Sequence, residues 1–228
     1  MRFGALLLAA ALSVPALGRA DRMSAEAPEA GIESAAAGCA PADGTSAEAL
    51  EAGTSVAAGD GMSAALLGRA FPSTDARRQS LAEIHGDKAF LVVTFFSASC
   101  PCQRAHDPRL LELAETFGDR VAFVSVDAEA NSSLDLDRRE KEKRGYPFPI
   151  LSDPEGILAD ALGARFATHS AVIDREGRVR YFGGIDDDRS RLRPDARLHL
   201  RDALTALLAG KEPDRPRTKA FGCFLRRR

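Results

Sequence analysis

The stretch Ala89-Phe90-Leu91-Val92-Val93-Thr94-Phe95-Phe96 is near-continuously apolar and β-rich, and Ser97-Ala98-Ser99 joins it to Cys100-Pro101-Cys102. A run of this kind marks a strand buried on both faces, as in a parallel or mixed sheet. Beyond the cysteines an amphipathic pattern predicts a helix to about Phe117, with Leu110, Leu111, Leu113, Ala114 and Phe117 on its apolar side. Val121 to Val126 reads as a second buried strand. Strand, helix and strand make a βαβ unit, whose crossover is expected to be right-handed.

The cysteines sit where that unit turns from strand to helix. Pro101 suits the first helical position, where its missing N–H costs nothing. That makes Cys100 the N-cap and puts Cys102 inside the first turn. Unpaired N–H groups and the positive end of the helix dipole stabilise a thiolate there, and only the thiolate attacks disulfides or peroxides. Cys102 is close enough to resolve a mixed disulfide, and a one-residue spacer strains the ring. The bland alternative is two buried cysteines that merely pack.

Downstream, a charged and mostly solvated helix is predicted from about Ser133 to Lys143, ended by Gly145. Phe148 to Ser152 reads as a short strand or extended entry, and Ile157 to Leu162 as a short helix. Ala171–Asp174 and Val179–Phe182 form a hairpin around Arg175-Glu176-Gly177, with Gly where a positive φ is cheap. A last amphipathic helix spans about Asp195 to Leu208 and ends at Gly210. Upstream, order is expected from Ala64, with an entry loop at Phe71-Pro72 and a short turn or helix over Leu81 to His85.

Residues 1–20 carry one basic residue and an apolar run from Phe3 to about Gly18, shorter than the roughly 20 residues of a membrane span. With small residues before Asp21 this reads as a secretory signal peptide, an uncleaved anchor being the alternative. Residues 21–63 form an Ala/Gly/Glu-rich linker without aromatics until Ala64. Such a segment cannot offset ordering costs of about 1–2 kcal/mol per residue and is expected to be a disordered tether. Gly38-Cys39 lies too far from the apolar run for a lipoprotein box, and Cys39 reads as incidental. The domain itself is assigned to 64–210, and 211–228 to a basic tail.

The chain has 228 residues, with 31 Lys and Arg against 33 Asp and Glu, no Trp and two Tyr. Neither a basic field nor a base-stacking surface is present, so nucleic acid is excluded as a partner. Four cysteines are too few for a disulfide scaffold of this length. Export would place a reactive pair in an oxidising compartment.

Four segments, in this order, carry a resemblance: Phe95-Phe96-Ser97-Ala98-Ser99-Cys100-Pro101, Phe123-Val124-Ser125-Val126-Asp127, Pro147-Phe148-Pro149-Ile150-Leu151-Ser152-Asp153 and Val172-Ile173-Asp174-Arg175-Glu176-Gly177. The chain resembles the thioredoxin-like superfamily, and within it the redoxin group of alkyl hydroperoxide reductase and thiol-specific antioxidant relatives. The resemblance implies an α/β thioredoxin fold, a central mixed β-sheet flanked by helices. It implies a thiol–disulfide oxidoreductase or thiol peroxidase needing no cofactor, with Cys100 and Cys102 catalytic and Ser97, Pro101 and Thr168 supporting or lining the substrate groove. Partners would be protein disulfides or thiols, or peroxide, without stable membrane insertion after signal cleavage. Several positions depart from the family pattern. Cys-x-Cys replaces Cys-x-x-Cys, Thr168 falls where thioredoxins hold a cis proline, Thr94 where they bury an acid, and Val93 where peroxiredoxins carry a proline. The peroxiredoxin arginine also falls near Thr168, three residues from Arg165.

Three further features stay open at this level. Cys223, in Phe221-Gly222-Cys223-Phe224, is a resolving cysteine if the tail folds back, and otherwise an accessory thiol. Cys100, Cys102 and His169 would make a soft copper(I) site, with His106 a further ligand; the ordinary reading of each histidine is a surface or helix-solvating one. Asp186-Asp187-Asp188 lacks the rest of a calcium loop and reads as an N-cap or solvated turn, and Arg226-Arg227-Arg228 as a solvated end.

Overall fold

The computed structural model of the protein describes residues 61–75 and 77–227; the leader, most of the linker and Cys39 lie outside the described residues. The described part begins one residue before Met62, which is buried and donates its N–H to the Gly177 carbonyl at 2.9 Å. A short helix α1 (Ala64–Leu67) follows, with the Ser63 hydroxyl accepting the Leu66 N–H. Where the sequence suggests only an entry loop, β1 (Ala70–Pro72) pairs antiparallel with β2 (Arg78–Ser80). Ser80 and Glu83 then form a reciprocal capping box on α2 (Leu81–His85).

The elements that build the site are β3 (Phe90–Phe96), α3 (Pro101–Ala105), α4 (Asp107–Phe117), β4 (Val121–Asp127), α5 (Leu134–Arg144), β5 (Ile150–Ser152), α6 (Ile157–Leu162), β6 (Ser170–Asp174), β7 (Val179–Gly183) and α7 (His199–Leu208). They form one five-stranded mixed sheet in the order β5-β4-β3-β6-β7. β3, β4 and β5 run parallel, β6 is antiparallel to β3, and β7 closes the hairpin with β6. The single helix expected after the cysteines is two helices, meeting at His106. Pro108 supplies the reason, since it lacks the N–H that would bond the carbonyl of Arg104.

β3 is central and buried on both sides, as its unbroken apolar run implies. Leu91, Val93 and Phe95 join one cluster with Leu81 of α2 and Leu158 and Leu162 of α6. Val92 and Phe96 join the other with Leu110 and Leu113 of α4 and Leu200 and Leu204 of α7. The alternation is the period of two of an extended chain. Each such buried side chain contributes about 1.5–3 kcal/mol. Cys100 and Cys102 belong to the first cluster.

Two acidic residues of the family-like segments shape the ends of elements. Asp153 accepts N–H groups from Ile157, Leu158 and Ala159 and so satisfies the start of α6. Asp174 accepts from Glu176 and Arg178 backbone and from the Arg178 and Arg180 guanidiniums, fixing the hairpin turn.

The charged helix is not the solvated element its composition implies: Asp137, Glu140 and Arg144 of α5 are buried. Asp137 lies against Asp127 at the end of β4 and accepts from the Ser132 hydroxyl. Burial first, and then the Asp127 charge, push the Asp137 carboxyl up to about 8. A carboxyl whose folded pKa lies above its unfolded value loses stability for the fold as pH rises from the unfolded value, near 3.8, through about 8. Asp137→Asn should therefore be more stable than wild type above pH 8, with the difference shrinking toward pH 4. Urea midpoints measured across that range check it, and a difference independent of pH would refute it.

Candidate active site

Cys100 caps α3 as the sequence predicts, with extended φ −82° and ψ 112° and with Pro101 opening the helix. Its sulfur accepts the Gln103 N–H at 3.3 Å. A second N–H, from Cys223, reaches the same sulfur at 3.3 Å. Cys100 is 1 % exposed and Cys102 fully buried, whereas Cys223 is half-buried. The three sulfurs lie within 4.8 Å of one another. Cys100 and Cys223 are free, and Cys102 is disulfide-bonded.

The tail explains this convergence. Expected beyond the domain, it instead runs beside β7, with Phe182 donating to the Pro216 carbonyl and Thr218 donating back to Phe182. Gly183 and Gly184 leave the room, since a Cβ at Gly183 would stand 2.2 Å from Thr218 Oγ1. The tail then crosses the end of the sheet. Ala167 N–H donates to the Cys223 carbonyl at 3.0 Å and Leu225 N–H to the Arg165 carbonyl at 2.9 Å, an antiparallel bridge centred on Phe166 and Phe224. The Thr168 hydroxyl donates to the Phe221 carbonyl at 2.9 Å.

Thr168 thus packs against the tail at Phe221 and Gly222, next to Cys223 in the chain. Its φ of 137° makes it the one non-glycine residue with positive φ among the described residues. Strain of this kind clusters at ligand clamps and active sites. Thr94, in the place of the buried acid, is itself buried and shares a hydrogen bond with Ser170. Ser97 lends its carbonyl to the Cys100 N–H, and its hydroxyl meets that of Ser99 at 3.3 Å.

Among the described residues, the side chains that converge with Cys100 and Cys102 closely enough to share a metal ion do not include His169. Its Nδ1 accepts the Arg165 and Phe166 N–H groups, and its ring packs on Phe182 and Phe166. Burial, helped by the Arg165 charge, holds it down to about 4, so it is a neutral acceptor. The sulfur cluster takes Cys223 in its place. His106 is no sulfur ligand either. Its Nδ1 meets the Cys102 carbonyl at 2.6 Å and its Nε2 meets Asp186 at 3.0 Å. Two acceptors facing two ring nitrogens call for the imidazolium. Burial opposes that charge, but Asp186 and the Cys102 carbonyl outweigh it and raise the His106 pKa. Asp186 and Asp188 are accordingly buried partners of His106, Arg109 and Arg193, not a solvated turn.

Sequence reasoning also passes over the brace behind α3. Arg144 donates to Gln103 Oε1 at 2.6 Å, to Glu140 at 2.9 Å and to the Ala98 carbonyl at 3.1 Å, with its guanidinium over Phe96. Gln103 donates to the Tyr146 hydroxyl at 2.7 Å, which donates to Asp107. Burial pushes the Asp107 carboxyl up against these partners. Only the run of charges in α5 pointed there, and its composition signalled solvent.

A family model described as Redoxin matches residues 51–196. The chain belongs to the Redoxin family. The thiol:disulfide interchange protein DsbE of Pseudomonas aeruginosa is 28% identical over 124 residues, covering 51% of this chain and 66% of that protein, just under two thirds of it. The crystal structure of a hypothetical protein from Sinorhizobium meliloti 1021 superposes with a TM-score of 0.64 at 28% identity, over 70% of this chain and 91% of the other. A cysteine-to-serine mutant of PrxQ from Xylella fastidiosa superposes with a TM-score of 0.54 at 19% identity, over 69% and 99%, a likeness of fold. This Redoxin chain has the thioredoxin fold. Among the described residues no helix is long and apolar enough to cross a membrane.

The raised pKa of buried His106 makes the stability of this region fall as pH rises. A histidine whose pKa rises on folding stabilises fully below its unfolded value, near 6.5, and loses that contribution as pH climbs through the folded one. Wild type should exceed His106→Gln in urea midpoint by most at about pH 5.5 and by least at about pH 9; a gap that widens with pH would contradict the assignment.

Proposed function

We propose that this Redoxin protein is an exported thiol–disulfide oxidoreductase with Cys100 as nucleophile. The observation that carries the reading is the Cys100 sulfur at the start of α3, held by two backbone N–H donors and in contact with a second free thiol. Those donors fix the position of the sulfur, and the thiolate is the attacking form of a cysteine.

In the reductive direction, the Cys100 thiolate attacks one sulfur of a substrate disulfide. The other substrate sulfur leaves as thiolate and takes up a proton. A neighbouring thiol then attacks Cys100, forms an internal disulfide and releases the second substrate sulfur. The substrate gains two electrons and the protein loses two; the reverse sequence oxidises a dithiol. Cys223 is the resolving thiol that this state offers, and Cys102 serves once its own disulfide is reduced. The Cys223 thiol is pushed up to about 12 by burial, then by its hydrogen bond to Cys100 and the Cys100 charge. Two of those causes vanish when Cys100 enters a mixed disulfide, so Cys223 becomes easier to ionise at the step that needs it.

A second reading, thiol peroxidase, is favoured by the 1 % exposure of Cys100, which suits a small substrate. The thiolate would take one peroxide oxygen as sulfenic acid, releasing water or an alcohol after protonation, and a second thiol would condense with it to a disulfide and water. Export rests on the leader-like residues 1–20, and the partners proposed are protein disulfides or thiols.

Cys100→Ser should abolish exchange with a protein disulfide, a loss of at least a hundredfold in rate, and oxidation of wild type should give a Cys100–Cys223 bridge by peptide mapping. Unchanged exchange in Cys100→Ser would end the reading. Trapping of a sulfenic acid at Cys100 only when peroxide is added, without exchange activity, would select the peroxidase.

A further inference from the structure

The strap over Cys100 is seated like a bound peptide, and its contacts differ along its length. Backbone pairing to Arg165 and Ala167 holds any extended chain, whatever its sequence. Gly222 meets a tighter limit, since a Cβ there would stand 2.2 Å from the Ala167 carbonyl oxygen. Cys223 delivers its N–H to the Cys100 sulfur. Phe224 lays its ring on Phe166 with centroids 4.6 Å apart, although it is 45 % exposed. Two residues later, Arg226 reaches Glu129 at 3.1 Å and the Ser99 hydroxyl at 2.8 Å, and Arg227 pairs with Asp160. Glu129 is 6 % exposed, a buried carboxylate that requires a cation opposite it.

We propose that the edge formed by residues 165–168, with Phe166, Glu129 and Asp160, is a recognition groove for an extended polypeptide bearing glycine, cysteine and an aromatic residue in succession, followed by a basic residue three positions after the cysteine. The chain's own residues 221–227 are an internal copy of that ligand. The inference rests on Cys100 being the reactive thiol. It adds which protein substrates the site selects: those whose cysteine lies in a Gly-Cys-aromatic segment with a basic flank. An external segment enters by displacing the internal one, because both use the same Arg165 and Ala167 backbone groups.

The test uses full-length Gly222→Ala, in which the added methyl forces the strap off the groove, and Phe224→Asp/Arg226→Glu as a second variant that weakens the strap without touching its backbone fit. The probe is a fluorescent peptide of residues 219–227 with serine in place of Cys223, so that binding is non-covalent. Either variant should bind it at least tenfold more tightly than wild type. Replacing the phenylalanine after the serine by aspartate, or both arginines by glutamate, should weaken the peptide at least fivefold. Equal binding of a scrambled peptide, or equal binding by wild type and both variants, overturns the groove. Exchange with a small aromatic disulfide, run on the same proteins and on Cys100→Ser, separates the two claims. Cys100-dependent exchange without peptide discrimination sinks the groove alone, and loss of Cys100 dependence sinks the redox reading beneath it.

Discussion

The structure depends on one sulfur held at the junction of strand and helix. Cys100 takes the place that a serine or aspartate oxygen usually holds at an N-cap, and accepts the N–H of Gln103. That position exists because β3 keeps its parallel pairing with β4 as far as Phe96, while its ladder with β6 stops at Thr94. The chain leaves the sheet after Phe96, and Pro101 starts the helix directly after the Cys100 cap. The Cys223 N–H completes the sulfur's surroundings from the far end of the chain. The Cys100 sulfur is thereby both held by two backbone donors and covered.

Holding that junction rigid falls to buried charge. Arg144 is removed from water by its packing over Phe96, a cost of several kcal/mol for an ion left alone. Glu140, Asp107, the Gln103 amide and the Ala98 carbonyl offset it by filling the guanidinium's donor directions. The same arrangement ties the loop before Cys100 and the first turn after it to α5, an element far along the chain. His106 repeats the device on the other side, linking the Cys102 carbonyl to Asp186.

Thr168 shows how a departure from the family pattern is accommodated. Its unusual φ costs about 1–3 kcal/mol in strain and persists only where the surroundings hold it. Here they do: the His169 carbonyl accepts from Phe95, Ser170 donates to the Thr168 carbonyl, and the Thr168 hydroxyl anchors the strap at Phe221. A side chain that pairs with the tail stands where a proline would offer none.

The sequence by itself determined the sheet and the place of Cys100 at the start of a helix. Strands such as Phe90–Phe96 and Val121–Asp127 announce themselves because burial on both faces demands an unbroken apolar run, and Cys100-Pro101 because a proline tolerates only the first helical turn. Only the tertiary structure decided what surrounds Cys100. Asp137, Arg144, Asp186 and Asp188 read as solvated because composition records charge and not the partner that lets a charge be buried. The tail read as a loose basic end because its hold on Phe182, Arg165 and Ala167 is made by backbone groups that every residue carries. Such pairing leaves no pattern in side chains, and so which thiol stands beside Cys100, and what covers it, is a property of the folded chain alone.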